Sequence, residues 1–283
     1  KLASNKNKKD QKYIEEAKIY VDKHFSKNYG TTDDFQFPIS HEVAKKWLKE
    51  FIKNKFNKFG DYQDAIVKEE DYGFHSLLSS SINIGLLNPL EILEEIKPQP
   101  KSVPMNSYEG YIRQLYWREY QRFCTLYAKF DSNYFGNTKK LSKSWYDGTL
   151  GIPPVDDAIK SAFETAYLHH INRLMVIGNY MNLSGISPKE GYRWFMEFSI
   201  DSYEWVMNQN VLEMVFFVNG GNAIKTMRKP YVSSSGYILK MSNYKRGDWC
   251  KIWDGKYDEF KKKNLEKLKK YSYYFPGLLK KPN

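Results

Sequence analysis

The sequence predicts an all-α protein, on three observations. Apolar residues recur at spacings of three and four over helix-length stretches. Alternation of period two, the mark of a half-buried strand, is nearly absent. Pro and Gly are sparse, 11 and 17 in 283 residues, and fall between those stretches as punctuation. Taken in chain order, Ser40 precedes a segment in which Val43, Trp47, Leu48, Phe51, Ile52, Phe56 and Phe59 share one face, and Gly60 stands as its C′ residue. Residues 86–96 and 108–129 carry the same period. Residues 156–182 are expected to form one long helix, opened by Asp156 and Asp157. Ser187 and Pro188 supply N-cap and N1 to the next, whose tail over 191–207 is loaded with Trp194, Phe195, Phe198, Ile200, Tyr203, Trp205 and Val206. Residues 261–271 read as a last helix facing solvent. Residues 1–34 are expected to be a linker and leading helix, and 35–283 the helical domain.

An apolar content of 41% suffices for a large core and excludes disorder as the main state. Lys and Arg outnumber Asp and Glu by 44 to 33, so the net charge of +11 permits a polyanionic partner such as nucleic acid. Only two cysteines occur, Cys124 and Cys250. They exclude a disulfide framework and a four-thiolate metal site within this chain, and point to an intracellular, reducing compartment. No apolar run approaches the length of a membrane span, so no membrane association is expected.

Three stretches carry candidate chemistry. In FHSLLSSSINIGLL, the hydroxyls of Ser76, Ser79, Ser80 and Ser81 stand just before an apolar segment, where hydroxyls and free N–H groups suit a phosphate; an ordinary Ser-rich helix start is the plainer reading. In GYIRQLYWREYQRF, Gln114, Trp117 and Arg118 share one helical face and offer an amide, an indole and a guanidinium to an aromatic anion, or else form a core aromatic beside a structural ion pair. His169 and His170 are adjacent within the long helical segment, with Arg173 one turn on. Adjacent helical residues point about 100° apart, so they do not chelate one ion in the i, i+4 manner, and acid–base work competes with a structural role.

Together these stretches, with HHINRLMVIGN, DSYEWVMNQNVLEM, KPY and SGYILKMS, resemble photolyases and cryptochromes, and within them the bacterial (6-4) photolyase branch. The resemblance spans roughly residues 35–270. It implies a multi-helical FAD-binding domain, with no Rossmann-type antenna domain in this chain, whose cavity admits a lesion flipped out of UV-damaged DNA. By the same resemblance Tyr62 and the turn Ser76, Leu77, Leu78 and Ser79 hold the FAD phosphates. Arg173 and Asp201 pair beside the flavin ring, Asn210 faces it, and Arg118 and Tyr203 also belong to the cofactor site. Gln114 and Trp117 match lesion contacts. His169 and His170 match the paired histidines of (6-4) enzymes, one of them the proton donor. Trp194, Trp145 and Trp205 are candidates for electron relays, with ordinary core packing as the alternative. Arg113, Arg122, Lys225, Arg228, Lys229, Lys240, Lys245 and Arg246 are candidates for DNA phosphate contact.

Departures from that branch are equally specific. Pro153 or Pro154, Lys245 and Asp248 stand where cluster-binding cysteines are expected, leaving only Cys250, so the iron–sulfur cluster is expected to be absent and no metal is assigned. Trp249 and Trp253 are expected to pack nearby. The amino-terminal antenna domain of that branch is removed, encoded separately or never present, three alternatives the sequence leaves open, and no antenna chromophore is assigned. Three functions fit: light-driven repair of (6-4) photoproducts, flavin-based light sensing without repair, and a flavin-free remnant that binds DNA or protein.

Overall fold

A computed structural model describes residues 7–99, 102–221 and 227–275; among these the chain is helical, with three isolated bridges and no strand. α1 (Lys8–Phe25) begins at Asn7, whose side chain accepts from the Lys9 N–H. α2 (His41–Asn54) buries Val43, Trp47, Leu48 and Phe51, as the spacing requires. The expected continuation to Phe59 does not occur: Phe56 and Phe59 belong to a separate helix, α3 (Phe56–Tyr62). α4 (Ser79–Asn83) is a single short turn. α5 (Pro89–Ile96) is opened by a capping box between Asn88 and Glu91, and α6 (Met105–Tyr127) is the longest helix of the described residues. Gly60 lies inside α3 instead of ending it. A Cβ there would stand 2.5 Å from Asn106 C and Ser107 N, so this glycine lets the backbones of α3 and α6 meet.

The second half departs further from the local pattern. α7 (Ser144–Asp147) and α8 (Pro153–Thr165) follow, and α8 ends at Ala166, which takes the left-handed conformation (φ 54°). The segment 156–182 is therefore not one helix. Its freed carbonyls are taken by groups outside the helix: Ile200 N donates to Ala166 O at 2.9 Å, and the side-chain Nε of Arg173 donates to Leu168 O at 2.6 Å. Helical structure resumes at His170, widens to a π-helical run at Asn172–Gly178 and ends in α9 (Asn179–Leu183). α10 (Pro188–Phe198) has the expected cap, Ser187 accepting from Glu190 N. The 191–207 segment is likewise broken. Ser202 Oγ takes Phe195 O at 2.8 Å, and α11 (Glu204–Met207) then leads into a second π-helical run, Asn208–Val215. α12 (Ser235–Met241), α13 (Asp248–Lys263) and α14 (Leu265–Leu268) complete the order, so residues 261–271 are divided between α13, α14 and a final 3-10 turn.

Two apolar clusters result. One gathers Trp47, Phe51 and Phe56 with Ile92, Ile96 and the Leu77–Leu78 pair. The other gathers Ile159, Val176, Ile177, Trp194, Phe195 and Trp253. Each fully buried aliphatic or Phe side chain contributes about 1.5–3 kcal/mol. Trp249 and Trp253 pack edge to face at 6.1 Å, both buried. No helix of the described residues is long and apolar enough to cross a membrane.

Candidate active site

Both clusters contribute to the wall of one cavity of about 1030 Å³. Leu77, Leu78, Tyr111 and Leu115 come from the first, Leu168, Leu174, Met175, Met214 and Val232 from the second. Pockets for small organic molecules run to roughly 1,000 Å³, so this one suits a large cofactor.

The hydroxyl turn forms one wall. Ser76, Leu77, Leu78 and Ser79 all reach the cavity. Tyr111 donates from its hydroxyl to Ser76 Oγ at 3.0 Å. Leu77 adopts φ 58°, a left-handed conformation that costs a branched residue about 1–2 kcal/mol, and its buried side chain in the first cluster holds it there.

Against this turn, with Ser79 bonded to Asp201, stands the Arg173–Asp201 pair, 28 residues apart in sequence and joined by Nη2 to Oδ1 at 2.8 Å. The break after Ala166 and the break after Phe198 are what bring them together. Asp201 is buried and also accepts from Ser199 Oγ. Burial pushes its carboxyl upward, but the Arg173 guanidinium and hydrogen bonds from Ser199, Arg173 and Ser79 outweigh this and hold it below the usual carboxylate range. The pair is thus a fixed cation and anion at the cavity wall.

His169 and His170 lie at the end of that break and not within a continuous helix. Their surroundings differ. His169 is 4% exposed, and burial together with the charges of His170 and Arg173 lowers its pKa to about 3. His170 is half-buried and its Nε2 lies 2.8 Å from Asp64 Oδ1. The hydrogen bond from His170, with the charges of His170, His75 and Arg113, holds the Asp64 carboxyl below its ordinary value against the opposing effect of burial. An ionised Asp64 only accepts, so Nε2 of His170 carries the proton. His75 completes the group: its ring stacks on His169 at 5.1 Å, and burial followed by the charges of His169, His170 and Lys55 drives its pKa well down.

Gln114, Trp117, Arg118, Arg113, Asn210, Lys229 and Trp205 also line the cavity. Arg118 donates to Asn83 Oδ1 at 2.9 Å, and its guanidinium carbon lies 4.8 Å from the Trp205 ring centre. Asn210 Nδ2 donates to Gln121 Oε1 at 3.0 Å.

Five assigned residues fall outside the cavity wall. Tyr62 ends α3 half-exposed with its ring 5.0 Å from Phe74, because α3 turns Phe56 and Phe59 inward instead. Tyr203 is an exposed N-cap of α11. Arg122 pairs with Glu119 at 3.2 Å behind Trp205. Trp194 and Trp145 are core residues, joined by Trp194 Nε1 donating to Trp145 O at 2.8 Å. Phe198 links Trp194 to the wall: it lies 4.8 Å from Trp194 and 5.8 Å from the Arg173 guanidinium carbon. Among the remaining basic candidates Arg228, Lys240, Lys245 and Arg246 are exposed, and Lys225 lies outside the described residues. Asp64 and His75 were not singled out from the sequence. His75 adjoins Ser76 and was open to notice, whereas nothing local marks Asp64.

Residues 111–236 match the model of the FAD binding domain of DNA photolyase. The (6-4) photolyase of Agrobacterium fabrum is 37% identical over 265 residues, covering 88% of this chain and 52% of that protein. The chain belongs to the photolyase/cryptochrome family. It spans about half of the Agrobacterium (6-4) photolyase. Uncharacterized protein R855 of Acanthamoeba polyphaga mimivirus is 50% identical over 96 residues, covering 34% of this chain and 76% of that protein. The fold agrees with the crystal structure of a Synechocystis cryptochrome, at a TM-score of 0.57 and 20% identity over 78% of this chain and 46% of that one. The photolyase-type cavity described above thus lies largely within the matched domain.

Proposed function

We propose that this chain binds FAD in the cavity and takes part in light-driven repair of UV-damaged DNA, with (6-4) pyrimidine photoproducts as substrate. The observation that carries the reading is the convergence on one cavity of the Ser76–Ser79 turn, the Arg173–Asp201 pair and the His169–His170 pair. When bound and reduced, the flavin supplies an electron on excitation by blue light. Ser76, Ser79 and the strained backbone at Leu77 hold the cofactor phosphates, and the Arg173 guanidinium, kept in place by Asp201, supplies positive charge beside the flavin. Gln114 and Trp117 on α6 offer an amide and an aromatic face to a flipped-out base. His170 donates the proton. It borders the cavity and is oriented by the contact of its Nε2 with Asp64, which leaves Nδ1 as the nitrogen to serve the lesion, while His169 is held neutral by burial.

Tyr62 and Tyr203 stand outside this wall, and we assign them no direct cofactor contact; Arg122, also outside it, keeps its assignment to DNA phosphate. Trp194, behind Phe198, is the better placed of the buried relay candidates, with Trp145 beyond it, and Trp205 serves as a platform for Arg118. Cys124 and Cys250 are both buried free thiols, one in α6 and one in α13. Its two cysteines do not make up the thiolate set of an iron–sulfur cluster, and we propose that this chain holds no such cluster.

The test is a spectrum of the purified chain after addition of FAD, under blue light with a reductant, followed by a repair assay on an oligonucleotide carrying one (6-4) photoproduct. Bound flavin that bleaches, together with repair that His170→Ala abolishes without loss of flavin, is expected. Photoreduction without repair would point to light sensing, and no retained flavin would overturn the cofactor assignment for this chain.

A further inference from the structure

We propose that His75, His169 and His170 form a binding site for a divalent transition ion of the zinc class. One ring nitrogen from each residue lies within 4.8 Å of the other two. Neutral imidazole is the commonest ligand for such ions, and three of them with an open fourth position make a familiar coordination set. All three residues border the cavity, so the open position faces it.

A second observation is independent of the clustering. His75 Nε2 and His169 Nδ1 are both buried, and neither has a hydrogen-bond partner. A buried polar atom left without a partner costs about 1–3 kcal/mol, and two in one side-chain group call for something that takes their lone pairs or protons. The carboxylate at hand is already engaged, Asp64 being bonded to His170 Nε2. That contact is itself of the kind that orients a metal-binding imidazole, a carboxylate behind a histidine.

The rings need to move little. Two imidazole nitrogens on one tetrahedral ion stand about 3.4 Å apart, so the widest separation here closes by about 1.4 Å. His75 and His169 stack with 12° between their planes while His170 stands at 70° and 71° to them, so tilting the stacked pair brings its lone pairs toward the third ring.

An ion held there competes with delivery of a proton from His170, which makes the cluster a control point on repair. That consequence rests on the repair reading, whereas the binding does not and needs neither light nor flavin.

The experiment is a titration of the untagged full chain with Co²⁺ as the probe, at near-neutral pH and without FAD. Visible ligand-field bands that saturate at one equivalent and are displaced by Zn²⁺ are expected. His75→Phe keeps the ring and the stack but has no nitrogen, and is expected to remove the bands; Asp64→Asn should weaken binding about 10–100-fold. Absence of saturable bands, or unchanged affinity in His75→Phe, would overturn the proposal. Should His75→Phe not fold, imidazole NMR of the parent chain with Zn²⁺ decides. Of the five histidines, His75, His169 and His170 are expected to shift together; shifts confined to His24 or His41 would equally overturn it.

Discussion

Lowering the pH from 7 to 5 is expected to destabilise the fold through the buried imidazoles. His169 has an ordinary value of 6.5 and a folded value of about 3, set first by burial and then by the charges of His170 and Arg173. At pH 5 the unfolded chain therefore takes a proton at this position and the folded chain does not, so the equilibrium moves toward unfolding as pH falls. Stability is lost from about pH 6.5 downward and the loss is complete near pH 3. Each pH unit within that window is worth about 1.4 kcal/mol, so His169 alone removes about 2 kcal/mol between pH 7 and pH 5. With 4% exposure the ring is well shielded, and solvent screening takes little from that figure. His75 acts in the same direction. The assay is urea unfolding followed by far-UV circular dichroism at both pH values, for the parent and for His169→Gln. The variant starts less stable but is expected to lose about 2 kcal/mol less on acidification. Equal losses in the two proteins would refute the buried, neutral state assigned to His169.

Further expectations follow from the same geometry. Arg173→Gln leaves Asp201 buried without its cation and is expected to cost about 3–5 kcal/mol in thermal or urea unfolding of the FAD-free chain; a loss below about 1 kcal/mol would mean the pair is well hydrated. Asp64→Asn replaces the carboxylate facing His170 Nε2 by a neutral amide, and repair is expected to fall at least about tenfold with flavin retained, read from turnover under constant illumination. Gly60→Ala forces a methyl to within 2.5 Å of the α6 backbone and is expected to cost about 1–3 kcal/mol in the urea midpoint. Changing Arg113 and Lys229 together to Ala should weaken damaged and undamaged DNA alike and lower the slope of log affinity against log salt by about 2.

Much of the helical class was legible in the chain itself. The apolar faces of α2, α5 and α6, and the Ser187–Pro188 start of α10, follow from spacing and capping, because those signals act between residues within a turn or two of each other. Family resemblance added the residues of the site, and Arg173 with Asp201 meet as expected. What the local pattern did not show is where helices stop. Residues 161–171 contain no Gly or Pro, yet the chain breaks at Ala166, because Ile200 N and Arg173 Nε satisfy the carbonyls that a continuing helix would have used. That break sets His169 and His170 at the cavity, and the fold then brings up Asp64 from 106 residues away to hold one imidazole and His75 to stack on the other. Tyr62 and Tyr203 face outward for the same reason, since the direction of a side chain depends on which face of its element is covered. Periodicity and capping are local and travel with the sequence; the pairing of distant residues, the burial of an imidazole and the ending of a helix depend on non-local packing, and only the tertiary structure decides them.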